Sequence, residues 1–380
     1  MKTAGRAEVP QLEAGAVLSI DLKALVDNWR ALQAVCGEAE CGAVVKADAY
    51  GLGMEPIVRA LVGAGCKTYF VAHIFEGRHL RALSRDAVIY VLNGLLPGTA
   101  PAYAAYDLRP VLASIPEIEE WLQFIAFSGA LARTGDGPPP AALQIDTGMN
   151  RLGLKGDDLD AAEQIIGQMN ISLVLSHLVW TGHGDAGGAV VQIDAFERMR
   201  ARWFDLPASM ANSAGVFLDR HPLYNMVRPG YALYGGNPTP GRPNPMRSVV
   251  RLEAKILQIH QAAPGESVGY DAGSTVKGAR RLATISAGYA DGIPHSTTAC
   301  DARPGGQAIV RGRRCPFVGS VSMDLIVIDV SEVGDAQRGD MVELIGPTIT
   351  IDEVAARSGT IGYEILTKLG RRFYRRYTRL

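Results

Sequence analysis

The stretch CGAVVKADAYGLGMEPIVRALVGAGCKTYFVAH, residues 41–73, decides the fold. Two short apolar runs, CGAVVKA and KTYFVAH, flank a segment of helical patterning, which is the strand–helix–strand unit of a parallel sheet. The alternation continues through AVIYVLN (87–93), RPVLAS (109–114), AALQID (141–146), SLVLSH (172–177), ASMAN (208–212) and NMVRPG (225–230), so eight strands are predicted. Eight such units in about two hundred residues suggest an α/β fold closed into a (β/α)8 TIM-type barrel, with an open doubly wound sheet as the competitor. Polar residues help to decide between them. Lys46, Arg151, His177, Ser213 and Arg228 fall at or just beyond the carboxyl ends of different strands, and in a barrel those ends converge on one mouth.

Working outward, VLSID (17–21) reads as an opening strand. Leu22, Leu25, Val26, Trp29, Leu32 and Val35 then recur at helical spacing, with Asp21 as the N-cap. On the other side, GGNPTPGRPNP (235–245) holds too many prolines and glycines for an element interior and reads as a linker. Beyond it, VVRLEAKILQIH, RRLATISA, QAIVRG, DLIVIDV and MVELIG are strand-like, followed by helical patterns near IDEVAAR and EILTKLG. The expected organisation is an N-terminal extension (1–16), a barrel (17–238) and a mostly β C-terminal domain (239–380), with the opening strand available to pair with that last domain. TGDGPPP (134–140) reads as a loop.

With 380 residues, 47% hydrophobic and 20% charged, the chain can bury a core in each of two domains. A net charge of −1 argues against a polyanion-binding surface, and the basic tail RRFYRRYTRL (371–380) reads as a solvated terminal segment; no nucleic-acid partner is expected. Five cysteines without a CxxC pair form no disulfide or zinc framework, which fits a reducing cytoplasm. The opening MKTAGRAEVPQLEAG lacks the apolar core of a signal peptide, and no apolar run is long enough to span a bilayer, so a cytoplasmic location without a membrane partner is expected. The pairs His73/His79 and His177/His183 lack metal-ligand spacing, so no catalytic metal is expected, and GLGMEP fails the full dinucleotide-binding glycine pattern.

A lysine at the carboxyl end of an apolar strand is costly to desolvate and loses its proton more readily than a solvated one. Its neutral amine can form a Schiff base with an aldehyde, pyridoxal phosphate above all. A lone lysine of this kind more commonly just snorkels to solvent. Lys46 is not alone: MNRLG (149–153), ANSAG (211–215), VRPGYALYG (227–235), SAGYADG (286–292), SMD (322–324) and TIGYE (360–364) follow in order. Together with AVVKADAYGLG (43–53) they resemble alanine racemase over nearly the whole chain.

The resemblance implies interconversion of L- and D-alanine on pyridoxal 5'-phosphate by two bases, Lys46, which also carries the cofactor, and Tyr289 on the opposite face of Cα. It implies that Arg228 faces the pyridine nitrogen, donating to it without fully protonating it, which weakens the ring as an electron sink. Ser213 with its neighbour Asn212, the backbone of Gly230 and Tyr231, and the phenols of Tyr50 and Tyr363 would hold the phosphate. His177 and Arg228 would form the network that favours the Tyr289 phenolate, and His177 counts with the cofactor-binding residues. Arg151 and the Met323 backbone N–H would hold the substrate carboxylate, supported by Asp324. A homodimer with shared active sites is implied as well. Two departures stand out. Gln144 lies seven positions before Arg151, where many relatives carry a lysine, often carbamylated; its amide oxygen is expected to accept from Arg151. Ser320 stands three positions before Met323, where some relatives have an arginine in the substrate corridor. A broad-specificity or serine racemase is therefore the alternative, ahead of a non-catalytic pyridoxal phosphate carrier.

Overall fold

The computed structural model describes residues 9–128, 138–180, 182, 187–219 and 222–378. Most of TGDGPPP, and His183, lie outside the described residues. The chain forms two compact units: one spans Leu25–Leu233 with Asn237–Arg247, the other gathers the chain up to Ala24, Tyr234–Gly236 and Ser248 onward. Among the described residues no helix is long and apolar enough to cross a membrane.

The first unit is a parallel barrel. Its strands run Ala43–Val44, Thr68–Val71, Val88–Val91, Arg109–Leu112, Pro140–Gln144, Asn170–Leu175, Ala208–Ser209, Met226–Val227 and Glu40–Cys41, each paired with the next. The first and last of these are halves of one strand divided at Gly42. Glu40, Gly42 and Val44 donate N–H groups to Asn225, Val227 and Pro229 carbonyls at 2.9, 3.0 and 3.0 Å, while Val45 donates to Phe70 on the other side at 2.9 Å. That alternation closes the sheet, excludes the open doubly wound fold, and yields the eight expected strands as nine segments. Gly42 permits it, because a Cβ there would stand 2.9 Å from the Phe70 ring and 3.3 Å from two carbonyl oxygens.

Helices cover the barrel because their apolar residues recur on one face. In Met54–Ala64 the buried positions are Met54, Ile57, Val58, Ala60 and Leu61, and the helix stops at Gly65, whose φ of +103° suits only glycine. Truncating fully buried Leu61 to alanine would cost about 2–5 kcal/mol. The predicted first helix is Leu22–Cys36, and the Asp21 carboxylate accepts the Ala24 N–H at 3.0 Å, as an N-cap should.

The second unit is mostly β and is organised by the long strand Val250–Ala262. Val250, Leu252, Ala254 and Ile256 alternate inward along it. It pairs antiparallel with Ala16–Ile20, Met341–Ile345 and Arg280–Ile285. The opening strand, counted within 17–238 but available to the last domain, lies between Val250–Ala262 and the parallel strand Tyr374–Tyr377 and so belongs to this sheet, while one expectation changes. The basic tail is accordingly no solvated segment: Phe373 is buried, Arg376 donates to Ser19 Oγ at 2.8 Å, and Thr378 N–H donates to Ile20 O at 3.0 Å. Net charge hid the aromatic residues Phe373, Tyr374 and Tyr377 that make this segment a strand. The helix Ile351–Ser358 is capped by Thr350, whose hydroxyl accepts from Glu353 N–H, and Gly362–Thr367 follows.

Candidate active site

Lys46 leaves the barrel strand directly after buried Val45. The next four residues, Ala47, Asp48, Ala49 and Tyr50, have φ of 54°, 55°, 54° and 56°. This is a left-handed turn made without glycine, a conformation costing L-residues about 1–2 kcal/mol each. It is closed by Ala49 N–H to Val45 O at 2.9 Å and Gly51 N–H to Ala47 O at 2.7 Å, and its exit is tied by Met54 N–H to Asp48 Oδ1 at 2.7 Å. The turn directs Tyr50 inward, where the ring is buried. Burial foremost, then the Arg151 charge, lowers the Lys46 ammonium below the ordinary lysine range; Arg228 adds to this and Glu76 opposes it.

Arg228 is buried at the end of the last barrel strand. Its guanidinium donates to Ser209 Oγ and, at 2.6 Å, to the Ser176 carbonyl, and it lies 5.9 Å from the Phe70 ring centroid. Among the described residues no carboxylate pairs with it, and burial alone pulls it down to about 10. A buried cation served only by neutral acceptors has room for a further acceptor on a ligand. Beside it, burial, then Arg228, Arg151 and Lys46, push the His177 imidazole down to about 3. His177 is therefore neutral near pH 7 and can contribute a hydrogen bond but no charge to a network favouring a phenolate. The strand ends are stitched by residues with no sequence signal: Gln192 donates to Thr147 Oγ1 at 3.2 Å and to His177 O at 3.1 Å, and accepts from Val179 N–H at 2.8 Å.

Ser213 and Gly230 form a small cradle. Ser213 Oγ accepts the N–H groups of Gly230 and Ala232 at 3.0 and 3.1 Å. A Cβ on Gly230 would stand 2.2 Å from the Tyr50 hydroxyl, so glycine is what lets that phenol approach the backbone. Hydroxyls from Ser213 and Tyr50, with backbone N–H groups beside them, suit a phosphate. Tyr231 is buried, and Asn212 braces the loops, donating to Trp180 O at 3.2 Å and accepting from Gly215 N–H at 2.9 Å. An amine with a weakened hold on its proton, a buried guanidinium without an anion and this cradle fit pyridoxal phosphate.

Arg151 sits exposed on a loop folded back on its strand by Asp146 N–H to Leu154 O at 3.0 Å and Leu154 N–H to Gln144 O at 2.8 Å. The Gln144 side chain is buried, and its amide N–H donates to Leu152 O, in the loop that carries Arg151, at 2.9 Å.

The other predicted residues lie in the second unit. Tyr289 and Met323 are exposed neighbours: Tyr289 N–H donates to Ser322 O and Ala290 N–H to Met323 O, both at 3.0 Å. Gly288 makes this approach possible, since a Cβ would fall 2.3 Å from both of those carbonyl oxygens. Asp324 is held by Arg372 at 2.7 Å, a residue sequence reasoning missed. Tyr289 also borders a cleft of about 410 Å³ lined by His295, Ser358, Glu364 and Lys368. Tyr363, on the helix Gly362–Thr367, is pushed up to about 12 by burial and by Asp352. Ser320 donates to Tyr270 O at 3.4 Å.

Comparison with known proteins matches residues 20–238 to the alanine racemase N-terminal domain and 249–377 to its C-terminal domain. The alanine racemase of Methylobacterium nodulans is 52% identical over 368 residues, covering 96% of each chain. The catabolic alanine racemase of Mesorhizobium japonicum is 42% identical, covering 97% of this chain and 95% of its own. The crystal structure of alanine racemase from Bartonella henselae, which has covalently bound pyridoxal phosphate, superposes with a TM-score of 0.90 at 38% identity, over 96% of this chain and 100% of that one. Both halves of the chain match over nearly their full length, so the chain belongs to the alanine racemase family.

Proposed function

We propose that this protein interconverts L-alanine and D-alanine, with pyridoxal 5'-phosphate held on Lys46. The observation that carries the reading is the barrel mouth itself, where the Lys46 amine, with its lowered proton affinity, shares a cationic site with Arg228, buried and, among the described residues, without a carboxylate. When bound, the cofactor supplies a conjugated sink that makes the Cα proton removable. Arg228 would donate to the ring nitrogen, and Ser213, Tyr50, Gly230 and Tyr231, with Tyr363, would hold the phosphate, while Asn212 and His177 would keep the surrounding loops and strand ends in place. Arg151 and the Met323 N–H orient the substrate carboxylate, with Asp324 and Gln144 supporting them. Lys46 Nζ takes or returns the proton on one face of Cα, and Tyr289 Oη does so on the other.

The active site belongs to a two-fold homodimer in which Tyr289 of the partner subunit faces Lys46, and the enzyme works in the cytoplasm. The exposure of Tyr289 and Met323 at the surface of their own unit supports this arrangement. The test is racemisation by the purified holoprotein against a panel of amino acids. L-alanine is expected to lose optical rotation fastest. Faster turnover of serine would favour the alternative that Ser320, a short neutral side chain, motivates.

A further inference from the structure

We propose that Glu76 is a positioning residue for Lys46: its buried carboxylate fastens the left-handed turn that starts one residue after the lysine, and so fixes where the amine stands. The inference rests on Lys46 carrying the cofactor.

Glu76 lies in the first turn of the helix Ile74–Leu83 and is 5% exposed. Its Oε2 accepts the N–H groups of Ala72 and His73 at 2.7 and 3.0 Å, which satisfies donors at the helix N-terminus. A cap needs no more than that one oxygen. Oε1 instead reaches across to the neighbouring strand end and accepts the Ala47 N–H at 2.6 Å. Ala47 and Asp48 are exposed, so apolar packing does not hold them in the left-handed region. The entrance of the turn is held by Glu76 and its exit by Asp48 Oδ1 on Met54 N–H. Among the described residues, Glu76 is also the carboxylate whose charge acts on Lys46, against Arg151 and Arg228.

Glu76→Gln separates this role from capping. An amide has one acceptor oxygen, so keeping the Ala72 and His73 bonds turns the NH2 group toward the Ala47 N–H. In the purified full-length protein, the affinity for pyridoxal phosphate, measured by equilibrium dialysis, should fall at least tenfold. Ala47→Gly in the Glu76→Gln background should recover most of it, because glycine adopts positive φ without the tether. Glu343→Gln is the control: that buried carboxylate clamps Thr348 and Ile349 N–H groups in the other unit and should leave cofactor affinity within twofold of the parent. Parental affinity in Glu76→Gln, no recovery in the double variant, or an equal loss in Glu343→Gln would overturn the proposal. Should Glu76→Gln fail to fold, the double variant carries the test: folding and binding support the tether, and failure of either overturns it. Borohydride reduction and peptide mapping of the parent distinguish the underlying reading, since a pyridoxyl group on another lysine defeats the assignment of Lys46 itself.

Discussion

Asp291 receives two nitrogens of the Arg372 guanidinium, at 2.8 and 2.9 Å, two residues after Tyr289. The remaining nitrogen donates at 2.7 Å to Asp324, the residue after Met323. One side chain from the C-terminal segment thus fixes the spacing between the proposed second base and the proposed carboxylate donor. Arg372 is half exposed, so solvent screening limits the stability lost on its removal to about 1–2 kcal/mol. Arg372→Met is expected to lower kcat about tenfold and to raise KM for alanine while cofactor absorbance stays parental. Arg372→Lys should recover only part, because a single ammonium cannot fork onto two carboxylates. Steady-state kinetics and the absorbance spectrum check both statements.

Tyr289→Phe should abolish racemisation while leaving one face of Cα active. In deuterated water the variant is expected to exchange the Cα proton of D-alanine through Lys46 without change of configuration. Proton NMR follows exchange, and polarimetry follows configuration. Parental racemisation by the variant would refute the two-base assignment.

The phosphate cradle can be probed by adding one methyl group. In Gly230→Ala the new Cβ would meet the Tyr50 hydroxyl at 2.2 Å, so cofactor affinity should fall by at least tenfold. Removing that hydroxyl in Tyr50→Phe/Gly230→Ala takes away the closest overlap but leaves the ring Cζ 2.9 Å from the new Cβ, so the double variant should bind better than Gly230→Ala but less well than Tyr50→Phe alone. Equilibrium dialysis with pyridoxal phosphate reads both.

The barrel was legible because its signal is periodic and local: alternating apolar runs and helical patterns survive without any tertiary information. The candidate residues of the barrel mouth were legible from their place at strand ends and from quoted motifs. The tail was misread because its five arginines, Arg371, Arg372, Arg375, Arg376 and Arg379, outweigh the aromatic residues that pair it with Ala16–Ile20, a partner more than 350 residues away. Glu76, Gln192 and Arg372 were invisible for a related reason. Each acts by joining segments distant in sequence, and a buried carboxylate on backbone N–H groups has no periodic signature. The bond from the Gln144 amide N–H to Leu152 O has no sequence signature either, because the loop fold that makes it depends on Gly153 at φ +128°.

His177 gives the apoprotein a defined sensitivity to acid. Its imidazole has a folded pKa of about 3 against 6.5 for the ordinary group, so the unfolded chain takes up the proton first as pH falls. The stability contributed by the neutral ring is complete well above pH 6.5 and is lost progressively as pH drops toward 3. Between pH 6.5 and 5 the loss from this group is about 2 kcal/mol. His177→Gln should therefore show a smaller fall in unfolding free energy over that interval, measured by urea denaturation of the cofactor-free protein. Identical pH dependence in parent and variant would show that His177 is charged or solvated in the fold.

The proposed sharing of sites between subunits makes a quantitative prediction for mixed dimers. Lys46→Ala has an intact Tyr289, and Tyr289→Ala has an intact Lys46, so each homodimer is dead. In a mixed dimer, one site combines the intact Lys46 with the intact Tyr289 of the partner subunit, and the other site lacks both. Random reassortment of equal amounts makes half of the dimers mixed, and with one good site of two in each, about a quarter of parental activity should return if the sites act independently. Co-expression with two affinity tags isolates the mixed species and raises the expectation to about half. Mixed dimers that form, bind cofactor and stay inactive would place Tyr289 within the reach of its own chain's Lys46, or remove it from the reaction.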